Sequence, residues 1–380
     1  YRSPRTIKRL EPSINADTLI GGIEYSDHLI VDNDSRFVIQ MIVDAKNRGA
    51  SVGNYMTVLE ADYSKKMWNL KVRDEILDKE FETTSDILIN TSGPEMEEIC
   101  NMTKTETESQ LVFSKGVHLV VPRVTDSGRI LAFFDETQRL FYVIPMGGCS
   151  VIGTTDERVK EHEVKVNNND IDFLLKEANR KLALSKPLVA EDVIAERVGV
   201  RPLVIPKGGV DQDKDWTELS RRHEVETNRR YRMISVLGGK LSDCLNVGEE
   251  VVNSLESLGY KTSKPTRRWY GEPSDAERSI FLHAASNNGI DHDAANELWR
   301  RHGSRSFEIL EMISKEPALG ERLSEKINYT PAEISVMKRY EFICDSDDLL
   351  RRRTLIGQTV SQSDLESDAG FRVLIEHLNH

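Results

Sequence analysis

Cysteine is scarce in this sequence. Four cysteines are spread over 380 residues, and no two of them form a CxxC pair. Metal sites and disulfide frameworks both need grouped cysteines, so we expect no metal ligand set, no disulfide network and a reducing cytoplasmic setting.

Long hydrophobic runs are also missing. No apolar run approaches the ~20 residues that a membrane-spanning helix requires, and no signal-peptide pattern is visible. The longest runs, such as Val117–Val121, have the length of buried strands.

Basic residues are fewer than acidic residues in this sequence. The net charge is −12, so we expect no nucleic-acid partner, although local basic clusters can still bind a small anion. Hydrophobic residues make up 38% and charged residues 30% of the chain, which is typical of a globular protein. The length allows two or three domains with cores of their own.

Three successive patterns of apolar and polar residues along the chain predict its secondary structure. Helical spacing after Asp34, strand-like stretches and a short apolar run at residues 86–90 indicate an α/β layer. From about residue 111 to 156, short apolar runs alternate with turn residues, which predicts an antiparallel sheet. After about residue 268, amphipathic blocks with polar starts predict helices alone.

The stretch SVLGGKLSDC at residues 235–244 combines an apolar strand, a Gly-Gly-Lys turn and a helix start. A phosphate-binding loop needs glycine where Ile234 stands and Ser or Thr where Leu241 stands, so that loop is excluded. The two glycines still allow close approach of a ligand, and the helix start suits a phosphate or a delocalised anion such as a reduced flavin. By itself, the turn is equally compatible with an ordinary chain reversal.

Four other positions have side chains suited to catalysis or anion binding. Arg201 ends an apolar strand and has the geometry to bind phosphate or carboxylate, unless it forms a surface ion pair. Arg221 and Arg222 lie in a polar loop, where solvated charges are the ordinary interpretation. His118 heads a strand and is able to exchange a proton, although single histidines on strands are often structural.

In this order along the chain, the motifs resemble those of the FAD-dependent glycerol-3-phosphate dehydrogenases, which are DAO-type flavoproteins. The resemblance runs nearly end to end, and its specificity comes from the set of motifs. The matching stretches are LEP (10–12), GGIEYSD (21–27), DNDSR (32–36), INTSGP (89–94), KGVHLVVPR (115–123), RLFYVIP (139–145), IGTTD (152–156), GVRPL (199–203), LSRRH (219–223), VLGGKLS (236–242), RRHGSRSFEIL (300–310) and LLRRRT (349–354).

The resemblance implies a fold in three parts. These are an α/β, partial Rossmann-like FAD domain, an antiparallel β-sheet substrate domain of α+β type, and an all-α C-terminal domain. The expected boundaries are 28–97 with 210–267, then 1–27 with 98–209, and finally 268–380.

The resemblance also implies roles for individual residues. Arg201 and Arg221 match the arginines that hold the phosphate of glycerol 3-phosphate, and His118 matches the active-site histidine. Lys240 lies beside the flavin and the substrate hydroxyl, and either His118 or Lys240 is the base. The cofactor would be FAD, contacted by Gly238, Gly239, Leu241 and Ser242 at the flavin and by Val58, Thr91 and Gly93 on the adenosine side.

Two features depart from the family pattern. After Gly-Gly-Lys-Leu the family commonly has Thr-Thr-Tyr-Arg, whereas this chain has Ser242, Asp243, Cys244 and Leu245. We expect the charge of Asp243 to lower the reduction potential of a nearby flavin. The chain also contains no GxGxxG, the sequence that docks the cofactor pyrophosphate, so we expect a fragment of a longer enzyme that is inactive alone.

The implied reaction oxidises sn-glycerol 3-phosphate to dihydroxyacetone phosphate and passes electrons to a membrane quinone. Alternatives are an oxidase that uses oxygen and a truncated, non-catalytic paralogue that binds phosphorylated polyols. The resemblance further implies a cytoplasmic protein, peripheral on the inner face of the cell membrane, and a homodimer is an additional expectation.

Overall fold

The computed structural model describes most of the chain. The predicted polar loop at residues 206–222 lies for the most part outside the described residues, and so does Arg221. The described ranges are 1–17, 19–30, 32–136, 138–208, 222–263 and 273–379.

The strands of the described ranges form three sheets. In chain order they are β1 (Met56–Ser64), β2 (Met67–Asp74), β3 (Lys79–Ser85), β4 (Leu88–Asn90), β5 (Ser109–Pro122), β6 (Leu131–Phe134), β7 (Leu140–Met146), β8 (Cys149–Gly153), β9 (Glu157–Val159), β10 (Ala195–Pro206), β11 (His223–Asn228) and β12 (Met233–Gly238).

Helices connect the strands along the chain and make up the C-terminal third. In chain order they are α1 (Pro4–Leu10), α2 (Asp34–Asn47), α3 (Met96–Thr103), α4 (Asn168–Lys181), α5 (Cys244–Ser257), α6 (Asp275–Asn287), α7 (His292–His302), α8 (Ser306–Lys315), α9 (Pro331–Tyr340), α10 (Ile356–Thr359), α11 (Gln362–Ser367) and α12 (Ala369–Asn379).

The largest sheet has the strand order β10-β5-β8-β7-β6, with β9 also paired to β5. Every pairing in it is antiparallel, which confirms the sheet predicted between residues 111 and 156. Its apolar side chains pack with those of α4, including Leu119, Phe141, Ile152 and Leu174, all fully buried. Asn167 caps α4 in a capping box with Asp170, so a local signal fixes the start of this helix.

Strands β1, β2 and β3 form a separate antiparallel sheet. The expectation that this region continues an α/β layer is therefore wrong for residues 56–85. The β1–β2 connection is a two-residue turn in which Lys65 and Lys66 have φ values of 51° and 66°. Such a turn usually carries Asn or Gly, so the sequence SKKM gave no hairpin signal.

The third sheet has the order β11-β12-β4. The predicted β11–β12 hairpin is confirmed, and β4 pairs with β12 in the parallel sense, with Ser235 opposite Asn90. The carboxyl ends of β4 and β12 therefore meet at one edge of the sheet, where short 3₁₀ helices follow at Gly93–Glu95 and Leu241–Asp243.

The C-terminal third is helical, as predicted, with a π-helical segment at Asp348–Arg353. Helix α2 packs against this segment, and its cap residue Asn33 donates hydrogen bonds to the carbonyls of Arg351 and Thr354. Among the described residues, no helix combines the length and apolarity needed to cross a membrane.

Candidate active site

Strands β5 and β10 bring two of the predicted site residues onto one face. In their antiparallel register, Arg197 lies opposite His118 and Arg201 lies opposite Ser114. Side chains alternate along a strand, so positions 114, 116 and 118 share a face with their partners on β10. His118 and Arg201 therefore belong to one surface, and Gly116 lies between Ser114 and His118 on β5.

The Arg201 guanidinium is held by one residue of β5 and by two residues between β8 and β9. Its Nη2 donates to Thr154 Oγ1 at 2.8 Å, its Nη1 donates to Ser114 Oγ at 3.5 Å, and Asp156 Oδ1 lies 3.7 Å from Nη1. Asp156 also accepts a hydrogen bond from the Ser114 hydroxyl and forms an ion pair with Arg139 at 3.4 Å. The Arg201 side chain remains 27% exposed, so a solute can reach it.

His118 is held in its neutral form by its surroundings. Burial of the ring, together with the positive charges of Arg197 and Arg201, lowers the pKa of His118 from 6.5 to about 4. On the other side, the imidazole packs on Gly153 of β8, where a Cβ atom would lie 2.6 Å from His118 Cδ2. At neutral pH, His118 is therefore an uncharged proton acceptor beside two cations.

The Gly-Gly-Lys turn lies against the strand that carries Arg201. Gly238 and Gly239 have φ values of 65° and 95°, in the left-handed region that favours glycine. A Cβ atom at Gly238 would collide with Val204 of β10 and lie 2.9 Å from the Arg222 carbonyl oxygen. Lys240 follows at the start of the 3₁₀ helix with an exposed side chain, so its ammonium is accessible.

A second glycine turn stands at the same sheet edge. Thr91 is exposed after β4, and Gly93 has a φ of 63° with no atom within 4 Å of the place of a Cβ. Ligands of open α/β sheets bind outside the carboxyl ends of adjacent parallel strands, and both glycine turns occupy that position. These residues therefore fit the nucleotide cofactor that the resemblance implies, and they would hold it from this edge.

Three further predicted cofactor residues have different surroundings. Leu241 and Ser242 lie in the 3₁₀ helix directly after Lys240. Val58 lies near the start of β1, opposite Val72 in the separate antiparallel sheet, and not at the end of a parallel strand. Its contact with the cofactor stays a prediction, as do those of the other two.

A histidine that the sequence did not single out holds the turn in place. His223 Nδ1 lies 2.8 Å from Asp243 Oδ2, and His223 Nε2 lies 3.1 Å from Glu250 Oε1. Burial alone would lower the pKa of His223, but interactions with the two carboxylates outweigh it and raise the pKa. Asp243, the acidic departure noted above, also accepts from Asn246 at 2.6 Å. Its charge is thus paired inside the fold, and no local pattern in the sequence signals this contact.

Two family models match the chain. The FAD dependent oxidoreductase model matches residues 2–221, which is more than half of the chain, and the C-terminal domain of alpha-glycerophosphate oxidase matches residues 267–372. FAD is the cofactor of the first family.

Curated relatives are similar over most of the chain. The mitochondrial glycerol-3-phosphate dehydrogenase of Bos taurus is 26% identical over 90% of this chain and 48% of its own length. A glycerol-3-phosphate dehydrogenase of Synechocystis sp. is 27% identical over 99% of this chain and 71% of its own length. The chain thus spans about half the length of its mitochondrial relatives.

The fold is also similar to solved structures. The glycerol-3-phosphate dehydrogenase of Bacillus halodurans, complexed with FAD, aligns with a TM-score of 0.78 at 22% identity over all of this chain and 75% of that one. An L-alpha-glycerophosphate oxidase of Mycoplasma pneumoniae with FAD bound aligns with a TM-score of 0.50 at 14% identity, covering 71% of this chain and 66% of that one. The predicted fold class and the motif-based resemblance are both confirmed, and the chain belongs to the DAO family of FAD-dependent oxidoreductases.

Proposed function

We propose that the whole protein oxidises sn-glycerol 3-phosphate to dihydroxyacetone phosphate with FAD. The names of the relatives support this substrate, because they are glycerol-3-phosphate dehydrogenases that match 90% or more of the chain. The observation that carries the proposal is the placement of an anion-binding arginine and a neutral histidine on one face of β5 and β10.

Arg201 binds the phosphate of the substrate. A guanidinium forms strong, directional hydrogen bonds to phosphate oxygens, and a partly buried position screens the charges less than bulk water does. Arg201 lies in the middle of β10, and not at a strand end as its sequence context predicted. Thr154 and Asp156 already hold its guanidinium, so little rotamer freedom is lost on binding. Arg221, proposed as the second phosphate ligand, lies outside the described residues.

Oxidation at C2 removes a hydride from carbon and a proton from the hydroxyl group. FAD supplies the hydride acceptor when it is bound. His118 accepts the proton, because it is neutral at working pH and the neighbouring arginines favour that state. Lys240, as a cation, stabilises negative charge on the substrate oxygen.

Substrate binding strengthens His118 as a base. The positive charge of Arg201 is one cause of its lowered pKa. A phosphate dianion on Arg201 offsets that charge, so the pKa of His118 rises toward its ordinary value when the substrate is present. The imidazole thus becomes a better proton acceptor in the complex than in the free protein.

A quinone is the proposed electron acceptor, and oxygen is the alternative. Hydrogen peroxide formed in air at the rate of glycerol 3-phosphate consumption would establish the oxygen-dependent reaction. A cytoplasmic location with peripheral attachment to the inner face of the cell membrane, and a homodimer, are further proposals.

The proposed phosphate contact is tested with Arg201→Ala in the FAD-loaded protein. The KM for glycerol 3-phosphate should rise by about a hundredfold, since hydrogen bonds to charged groups contribute ~1.5–3 kcal/mol each. Arg48→Ala is the control, because that side chain directly follows α2, is 52% exposed and forms an ion pair with Asp44. An unchanged KM in Arg201→Ala would refute the phosphate role.

A further inference from the structure

Gly116 provides the space in which the Arg201 guanidinium lies. A Cβ atom built at Gly116 would stand 2.6 Å from both Cζ and Nη1 of Arg201, and Nη2 would be closer still. Real Cβ atoms do not approach other heavy atoms to that distance, so the guanidinium occupies the volume of the missing side chain.

This glycine is not needed for its backbone conformation. The φ of Gly116 lies outside the left-handed region, so an alanine is compatible with the strand. Gly116 therefore matters because it has no side chain. This absence leaves space on the surface of β5 between Ser114 and His118.

Gly199 provides a comparison for Gly116 on the neighbouring strand. It lies directly opposite Gly116 in the register of β5 and β10. A Cβ atom built at Gly199 would meet nothing within 4 Å. The two paired glycines thus differ in their surroundings, since Gly116 is buried beneath the guanidinium of Arg201 and Gly199 is exposed.

Other contacts hold the guanidinium on Gly116. Thr154 Oγ1 accepts a hydrogen bond from Nη2, and Ser114 Oγ accepts one from Nη1. Asp156, which also accepts from the Ser114 hydroxyl, adds a negative charge 3.7 Å from Nη1. The guanidinium is therefore fixed from the β8 side and rests on the backbone of β5.

We propose that Gly116 is a positioning residue for substrate binding, and this inference rests on the proposed function. It sets the Arg201 guanidinium at the height above the sheet that the phosphate of the substrate requires. A side chain at position 116 would displace the guanidinium from Thr154 and Asp156, and bidentate binding of a phosphate depends on such geometry. Gly116 thereby tunes affinity for the phosphate without touching the reacting atoms.

The test compares Gly116→Ala with Gly199→Ala in the FAD-loaded protein. Gly116→Ala should raise the KM for glycerol 3-phosphate by about tenfold and change kcat by less than about twofold, because the lost interaction concerns binding. The inhibition constant of inorganic phosphate should rise by the same factor. Gly199→Ala should leave both constants unchanged.

A double variant separates positioning from a general structural effect. If Gly116 acts through Arg201, then Gly116→Ala should add nothing to the KM of Arg201→Ala. A further increase in the double variant would overturn the proposal, and so would equal constants for Gly116→Ala and wild type. Thr154→Val tests the premise that the position of the guanidinium controls affinity, because it removes the Nη2 hydrogen bond and should raise KM and the phosphate inhibition constant together; unchanged constants in a folded Thr154→Val would overturn the proposal.

A failure of the proposed function gives a different result from a failure of the role proposed for Gly116. If the wild-type protein neither oxidises glycerol 3-phosphate nor is inhibited by inorganic phosphate, the substrate assignment is wrong. If the wild type shows both properties and Gly116→Ala shows them with unchanged constants, only the role of Gly116 is wrong.

Discussion

His118 and Gly153 lie directly opposite each other on β5 and β8, and the imidazole occupies the space that a side chain at Gly153 would fill. This contact buries the ring on one side, while Arg197 and Arg201 approach it from β10. The result is a histidine whose neutral form is favoured by both packing and charge.

The pKa of His118 should depend on the occupancy of the anion site. In the protein alone the imidazole should titrate near its lowered pKa of about 4. Sulfate, a dianion over this whole pH range, should raise that pKa, because it offsets the charge of Arg201. NMR titration of labelled histidines, with the His118 signal identified by its loss in His118→Asn, measures both values.

Arg201→Ala is the control for this effect. Without the guanidinium, the pKa of His118 should be higher than in the wild type and should no longer respond to sulfate. The same pKa with and without sulfate in a wild type that binds sulfate would contradict the coupling between the two residues.

The lowered pKa of His118 also predicts a pH-dependent stability. The unfolded chain binds a proton near pH 6.5 and the folded protein only near pH 4, so the folded state loses stability as the pH falls between these values. At about pH 5 the loss amounts to roughly 2 kcal/mol. His118→Asn should lack this loss, which urea denaturation at about pH 7 and pH 5 measures as the difference between the variants. If the free energy of unfolding changed equally with pH in the wild type and in His118→Asn, the assignment of His118 as a buried, neutral histidine would be contradicted.

The pairing of His223 with Asp243 and Glu250 predicts that stability changes with pH in the opposite direction. Its raised pKa means that the folded state favours the protonated form. The resulting stability is complete below the ordinary pKa of 6.5 and is lost as the pH rises through the raised value. His223→Gln should therefore destabilise the protein in mildly acid solution and have a smaller effect in alkaline solution.

Thermal unfolding across this pH range tests the His223 prediction. His292→Gln is the control, because the side chain of His292 is 80% exposed on α7. Equal destabilisation by His223→Gln at every pH would contradict a charged His223 ring between the two carboxylates.

Helix α2 is attached to the C-terminal helices by a buried ion pair. Arg36 Nη2 lies 2.8 Å from Glu341 Oε1, with exposures of 6% and 2%. Arg36→Ala should lower the free energy of unfolding by about 3–5 kcal/mol, because it leaves the Glu341 carboxylate buried without its charge partner. Arg48→Ala, which removes an exposed ion pair on the same helix, should cost less than about 1 kcal/mol. Equal losses of unfolding free energy in the two variants, measured by urea denaturation, would contradict the claim that burial makes the Arg36–Glu341 ion pair the more important one.

Features that depend on neighbouring residues in the sequence were predicted well. Helix α4 and the C-terminal helices begin at capping residues such as Asn167, Ser274 and Thr330, whose hydrogen bonds reach only a few residues along the chain. The antiparallel sheet and the β11–β12 hairpin followed from short apolar runs and turns for the same reason.

Features that depend on contacts between residues far apart in the sequence were not predicted, or were predicted wrongly. The contact between Gly116 and Arg201 joins two strands whose register no local pattern encodes. The contact between His223 and Asp243 links a strand to a helix start in the same way. The sheet of β1–β3 was assigned to the α/β layer because alternation in a strand does not reveal which strand is its neighbour.

Anaerobic titration of the FAD-loaded protein with sn-glycerol 3-phosphate tests the central claim most directly. The flavin absorbance should bleach, with one dihydroxyacetone phosphate formed per flavin reduced, and glycerol without a phosphate should act only at far higher concentration. A flavin that stays oxidised with glycerol 3-phosphate, or that is reduced equally well by glycerol, would contradict the assignment of this site to a phosphorylated polyol.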